Sequence, residues 1–271
     1  MSEGVIYEGD CLDVMKKLPD NSINLVVTSP PYGDARSKQY DDIPIDQYVE
    51  WFLPISKEIL RILKPDGSFI LNIKERVRDG ERQTYVLELI IKMREQGWLW
   101  TDEYIWHKKT AVPGYWKNRF RDAWERCLHF NKEKDFYMDQ KSVMVPIAEA
   151  TIKRVKNRNQ KTENVRRETA THSGFGTNIK NWEGKEKVYP TNVLHMSPET
   201  KNTGHSAVFP VRIPTWFIKL FSREGDTVLD PFGGSGTTAI ACLNENRNYI
   251  LIEKKPEFIE VMKGRITNES K

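Results

Sequence analysis

Apolar and polar positions along the chain switch between a two-residue rhythm and a three-to-four-residue rhythm. Short apolar runs predict strands near 4–8, at 23–27 and 68–73, and at 127–130, with further alternation at Trp98-Leu99-Trp100 and Tyr104-Ile105-Trp106. Helical spacing predicts a helix over 46–63, broken or kinked at Pro54, and another over 82–96 closed by Gly97. The pattern weakens after residue 131. It resumes with a helix over 212–222, a strand from Thr227, a helix over 235–245, a strand at 248–252 and a last helix over 255–267. Strands alternate with helices at both ends of the chain. That order predicts an α/β fold with a doubly wound, mostly parallel sheet, whose site lies in the loops at the strand carboxyl ends.

Two of those strand ends carry chemistry. Ile23-Asn24-Leu25-Val26-Val27 runs directly into Thr28-Ser29-Pro30-Pro31-Tyr32. A residue before proline is held extended, and proline has no N–H of its own, so the Ser29 hydroxyl and the Pro30 carbonyl can each accept one N–H of an amino group. Tyr32 adds a face on which an unstacked base can lie. An exocyclic amine of a nucleobase is a poor nucleophile because its lone pair is delocalised, and two such acceptors draw it toward tetrahedral geometry. Pro-Pro is also ordinary turn punctuation, so the pentapeptide alone does not decide.

The second strand end is Thr227-Val228-Leu229-Asp230-Pro231-Phe232-Gly233-Gly234-Ser235-Gly236-Thr237-Thr238, which reads as strand, glycine turn and helix start. Glycines permit close backbone approach to a ligand, Ser235, Thr237 and Thr238 can cap the helix, and its first N–H groups favour a carboxylate. No Lys follows Gly236, so this is not a nucleoside-triphosphate loop. Asp230 would repel phosphate and attract an ammonium group. Glu253 ends the next strand about 23 residues after Asp230, a spacing suited to ribose hydroxyls. Carboxylate, ammonium and ribose together describe S-adenosyl-L-methionine.

With these motifs the chain resembles the amino-group DNA methyltransferases of restriction-modification systems, in the beta group, whose catalytic motif precedes the cofactor motif. Glu8-Gly9-Asp10-Cys11-Leu12, Leu63-Lys64-Pro65-Asp66-Gly67 and His205-Ser206-Ala207-Val208-Phe209-Pro210 extend the resemblance over most of the chain. It implies a Rossmann-like methyltransferase fold with a target-recognition insert. It also implies a catalytic set of Ser29, Pro30, Pro31 and Tyr32. Asp10 and Cys11 would lie at the cofactor adenine, Glu253 at its ribose, Asp230, Pro231 and the turn Gly233 to Thr237 at its methionine part, and Phe232 would pack against it. Ser at the first motif position resembles members that methylate N4 of cytosine. Adenine N6 is the alternative, followed by an RNA base or a protein glutamine, for which Asn or Asp is usual there. A catalytically silent nucleic-acid-binding scaffold is the reading without catalysis. The partners implied are double-stranded DNA and a restriction endonuclease acting on the same site.

On this reading residues 1–106 and 205–271 are the catalytic and cofactor-binding halves of one domain, and 107–204 is the target-recognition region. Residues 151–187 hold ten Lys or Arg against four Glu, +6 within a chain whose net charge is +4. This basic insert, with Lys153, Arg154, Lys156 and Arg158, suits phosphate contact. Lys108 and Lys109 are further candidates. Trp116, Phe120 and Trp124 recur at helical spacing, which predicts an aromatic core stripe flanked by Lys117 and Arg121 as backbone contacts. Cys11, Cys127 and Cys242 lie too far apart for a disulfide framework, and the His residues lack ligand spacing, so no metal is expected. The start lacks a signal-peptide pattern and no apolar run has membrane-spanning length, which suits the cytoplasm.

Overall fold

The computed structural model describes residues 3–34, 43–110, 114–156, 184–198 and 209–269. The chain forms two compact units, Met1–Asp139 with Thr191–Lys271, and Gln140–Pro190. The larger unit contains strands β1 (Gly4–Glu8), β2 (Ile23–Thr28), β3 (Leu63–Ile73), the short pair β4 (Val77–Arg78) and β5 (Glu81–Arg82), then β6 (Leu99–Lys108) and β7 (Trp124–Asn131). In the smaller unit β8 (Val145–Pro146) pairs with β9 (Lys187–Val188). Strands β10 (Val193–Met196), β11 (Thr227–Asp230) and β12 (Asn248–Glu253) return to the larger unit. Its helices are α1 (Cys11–Met15), α2 (Tyr48–Ile62) and α3 (Tyr85–Glu95), and, after α4 (Glu149–Lys156) of the smaller unit, α5 (Arg212–Phe221), α6 (Thr237–Asn244) and α7 (Pro256–Glu269).

The main sheet has the order β1-β12-β11-β2-β3-β7-β6-β10. Only β7 runs antiparallel to its neighbours. Strand β2 is buried at every position, as a strand covered on both faces must be. In β3, Phe69, Leu71 and Ile73 join the core under α1, α2 and α3, whereas the alternating Ile70 does not. Phe217, Ile218 and Phe221 of α5 are buried outside that cluster, with Tyr104 against Phe217 and Phe221. Helices therefore cover both faces, and the doubly wound, largely parallel fold expected from the alternation is the fold observed. Strands β7 and β10, inside 107–204, belong to this sheet.

Local chemistry sets the element ends. Helix α3 stops where Gly97 takes φ +108, and Gly97 N and Trp98 N donate to the carbonyls of Arg94 and Met93, pairing the last helical acceptors. Pairing of β2 with β3 jumps from Ile23↔Leu63 to Leu25↔Ser68, so Lys64 to Gly67 bulge out of the ladder.

Two expectations are corrected. Of the break or kink expected at Pro54, the break does not occur: helix α2 continues through it. Both Pro54 and Glu50, whose carbonyl loses its helical partner, lie on the exposed side, where water can serve that carbonyl. The stretch from Tyr115 to Trp124 is not a helix and its aromatics are not core. Trp116 and Arg119 form a backbone bridge in a hairpin, Trp124 opens β7, and Trp116 and Phe120 are 46% and 95% exposed. Three aromatic residues at helical spacing are too few to distinguish a turn from a periodic face.

Candidate active site

The parallel strands place Glu8, Glu253, Asp230 and Thr28 at the same rim of the sheet, in the order β1, β12, β11, β2. Strands β11 and β2 pair directly, Val228 with Leu25 and Leu229 with Val26. Just past the last of these pairs, one residue on in β11 and two in β2, the Thr28 hydroxyl donates to Asp230 Oδ1 at 2.6 Å. This bond ties the residue before Ser29 to the residue that opens the glycine turn. The Thr238 hydroxyl donates to Asp230 Oδ2 at 2.6 Å, and Phe232 N to Oδ1 at 3.1 Å. Asp230 is 2% exposed. Burial raises its pKa to about 6, against these three hydrogen bonds, which favour the carboxylate and lower it. The carboxylate expected to face an ammonium group thus also braces β2, β11 and α6.

The turn itself is held from both sides. Gly233 N donates to Ile252 O at 2.8 Å, Gly234 N to Glu253 Oε2 at 2.8 Å, and Gly9 N to Glu253 O at 2.9 Å. Gly236 caps α6 with φ +81, and a Cβ there would lie 2.6 Å from Met262 Cγ, so a side chain is excluded twice over. No side chain caps α6, contrary to the expectation for Ser235, Thr237 and Thr238. Their hydroxyls have other partners: Arg265 Nη1 of α7 donates to Ser235 Oγ at 2.6 Å and Thr237 Oγ1 at 3.2 Å, and Thr238 serves Asp230.

These residues fit a zwitterionic nucleoside. A Cβ on Gly234 would meet only Phe232 O, at 3.8 Å, which leaves room for close approach over the turn. Glu253, half-buried, ends β12 beside it, and Asp10, exposed, follows the end of the adjacent β1. Asp10 caps α1 through Leu12 N at 2.9 Å, and Cys11 is buried, its thiol pushed up to about 12 chiefly by burial. Pro231 is buried and the half-buried Phe232 ring packs 5.8 Å from that of Trp51.

On the β2 side, Pro30 is buried, Ser29 is half-buried, and the Tyr48 hydroxyl donates to Pro31 O at 2.9 Å, which holds the Pro-Pro turn against α2. The Tyr32 hydroxyl donates to Glu125 Oε2 at 2.8 Å and lies 3.4 Å from Ser29 Oγ and from Asn72 Oδ1. Burial first, and the neighbouring Glu125 second, hold the Tyr32 phenol well above its ordinary range. Glu125 also accepts from Lys108 Nζ at 2.5 Å. Glu125, Asn72, Thr28 and Arg265 were not among the residues expected from sequence. Asn72 and Thr28 carried a legible signal, a polar residue at the carboxyl end of a buried apolar strand. Glu125 carried none.

A cleft of about 680 Å³ opens beside Tyr32 and Glu125, walled by Lys74, Glu75, Arg76 and the hairpin Trp116 to Arg119. Of the expected phosphate contacts, Lys117 lines this cleft, and Lys109 and Arg121 are exposed. Lys108 is instead half-buried, paired with Glu125 and stacked 4.7 Å over the Trp106 ring. Lys153 is exposed on α4, the side chains of Arg154 and Lys156 are outside the described structure, and Arg158 lies outside the described residues, as do 205–208 of the motif ahead of the turn. Among the described residues no helix is long and apolar enough to cross a membrane.

Comparison with known proteins gives a consistent result. The DNA methylase family model matches residues 23–264. The Type II methyltransferase M.PvuII of Proteus hauseri is 30% identical over 279 residues, covering 95% of this chain and 82% of the relative. M.Cfr9I of Citrobacter freundii is 24% identical, covering 99% and 89%. Among solved structures, the cytosine-N4-specific PvuII DNA methyltransferase superposes with TM-score 0.73 at 26% identity over 99% of this chain and 92% of that one. The M1.HpyAVI–SAM complex shares the fold at 20% identity, with TM-score 0.62 over 97% and 98%. The strand-end chemistry and these matches together establish that the chain belongs to the N6/N4 DNA methylase family and is a DNA methyltransferase.

Proposed function

We propose that this enzyme transfers a methyl group from S-adenosyl-L-methionine to the exocyclic N4 of a cytosine extruded from a specific duplex sequence. The single observation that carries the reading is the Thr28–Asp230 hydrogen bond at 2.6 Å, which fastens the Ser29 turn to the glycine turn on one rim. Ser29 at the first motif position, together with the name cytosine-N4-specific borne by the PvuII structure, favours cytosine over adenine.

The glycine turn from Gly233 to Thr237 would receive the methionine part of the cofactor, Glu253 the ribose and Asp10 the adenine. When bound, its sulfonium supplies an activated methyl group. Ser29 is too weakly basic to remove an amine proton. Its task is orientation: the Tyr32 O–H is committed to Glu125, so the phenol oxygen can accept the Ser29 O–H, and the Ser29 lone pairs then face the substrate amine. The 3.4 Å Ser29–Tyr32 separation is long, as is common in catalytic pairs before substrate tightens them. The Pro30 carbonyl takes the second N–H. Tyr32 offers the stacking face, and alignment of amine and methyl accounts for much of the acceleration. Extrusion costs a few kcal/mol, which stacking and these hydrogen bonds offset.

Recognition of the duplex falls to parts of 107–204 outside the main sheet, namely the hairpin at Trp116 to Arg119 and the unit Gln140–Pro190, with Lys109, Lys117, Arg121 and Lys153 as phosphate contacts. A restriction endonuclease reading the same site is the natural partner of such an enzyme. The test is to incubate the protein with methyl-labelled S-adenosyl-L-methionine and mixed-sequence duplex DNA, digest to nucleosides and weigh the labelled product. N4-methylcytosine is expected. N6-methyladenine alone would reassign the base, and no labelled nucleoside would refute the reading.

A further inference from the structure

The hairpin beside the catalytic cleft presents an aromatic ring that the packing does not use. Phe120 is 95% exposed, yet the residues around it are anchored. Arg119 stacks 4.4 Å over the Trp116 ring and pairs with Asp122 at 3.3 Å, while Asp122 also binds Arg82 at 2.8 Å and Lys74 at 3.2 Å. Those charges hold the Asp122 carboxyl below its ordinary range against the opposing effect of burial. The hairpin is thus fixed to the segment that follows β3, with Trp116 to Arg119 forming one wall of the cleft that contains Tyr32 and Glu125. Phe120 stands one residue beyond that wall. Tyr115, at 88% exposure, precedes the bridge on the other side, beside Trp116, whereas Phe120 lies between the ion-paired Arg119 and Asp122.

We propose that Phe120 is a positioning residue that enters the base stack of the duplex and occupies the place left by the extruded base. An apolar ring in water has no stable partner, whereas the space between two base pairs is flat, apolar and as wide as one aromatic ring. Arg76 and Lys117 line the cleft beside the Asp122 pairs of Lys74 and Arg119 and suit the phosphates on either side of such a gap, which favours a nucleic acid over an apolar protein surface as the occupant. By filling the gap the ring slows return of the base and lengthens its stay against Tyr32. This inference rests on the base-methylation reading above, and adds to it a residue that need never touch the target base.

The decisive comparison uses two duplexes carrying the site that the parent protein methylates, one fully paired and one with an abasic position opposite the target. Phe120→Ala should methylate the paired duplex about tenfold more slowly in a single turnover and the orphan-base duplex at close to the parental rate, because extrusion there breaks no pair. Phe120→Trp should restore the paired rate. A 2-aminopurine in place of the target should fluoresce less brightly with Phe120→Ala than with the parent. Equal loss on both duplexes, no loss on either, or a change of sedimentation from dimer to monomer in Phe120→Ala would overturn the wedge. If the parent methylates no duplex site at all, the methylation reading falls, and the wedge with it.

Discussion

The rim around the glycine turn and the cleft around Tyr32 sit side by side, yet they are built in opposite ways. At the glycine turn the polar groups are satisfied by β11, α6, β12, α7 and the adjoining end of β2: Asp230 by Thr28, Thr238 and Phe232, Glu253 by Gly234 and Lys255, Ser235 by Arg265. At Tyr32 the partners come from distant strands, Asn72 from β3, Glu125 from β7 and Lys108 from β6, and the wall beyond them is a hairpin of exposed aromatics and cations. A pre-bonded turn suits a small ligand of constant shape. A cleft closed by long side chains and exposed rings suits a large ligand that must be deformed to enter. The contrast matches a shared cofactor on one side and a particular nucleic acid on the other.

Substitutions should separate the two regions. Ser29→Ala is expected to lower turnover about 100- to 1000-fold, as loss of one oriented hydrogen-bonding group in a preorganised site does, with the S-adenosyl-L-methionine Kd unchanged. Stopped-flow methylation and calorimetric cofactor titration read the two quantities. Asp230→Ala should do the reverse: it strands two buried hydroxyls and an N–H, destabilises the fold by about 2–4 kcal/mol in urea unfolding, and weakens the cofactor. Glu125→Gln keeps the shape but removes the charge paired with Lys108 and weakens the hold on Tyr32. About a tenfold fall in kcat with little change in cofactor Kd is expected.

One part of the pH dependence of stability should come from the turn, opposed by the buried His129, whose pKa burial lowers to about 3. The folded pKa of Asp230, about 6, exceeds its ordinary value of 3.8, so its protonated form favours the fold. That contribution is complete below 3.8 and is lost as pH rises through 6. Asp230→Asn should therefore gain stability relative to the parent between pH 4 and pH 7, and parallel urea curves for the two proteins would contradict the assignment. The smallest effect is expected at Lys117. Lys117→Ala should reduce the slope of log K against log salt by about 1 with turnover at saturation preserved.

The legibility of the sequence follows the same division. The strand, glycine turn and helix start from Thr227 to Thr238 could be read because their signals lie in consecutive residues. The end of α3 was equally plain, since a glycine at the position after the cap is the usual solution there. Glu125 could not be read, because it reaches the rim only through the reversal of β7, which brings the amino end of that strand beside the carboxyl ends of the others. Lys108 was legible as a basic residue, but its pairing with Glu125 depends on the same reversal. The Trp116, Phe120 and Trp124 spacing misled for a related reason: it spans a hairpin and the first residue of a strand, where helical periodicity has no meaning. The capping reading of Ser235 and Thr237 failed because Arg265, 30 and 28 residues away, claims their hydroxyls.

The most direct test of the shared rim is a crystal structure with an unreactive analogue of the cofactor and a duplex carrying the target. The account predicts an extruded cytosine stacked on Tyr32, its amino N–H bonds directed at Ser29 Oγ and Pro30 O, and its nitrogen about 3–3.5 Å from the position of the transferable carbon over the glycine turn. A cofactor bound away from Gly234, or an amino nitrogen on the far side of β2 from it, would contradict the account.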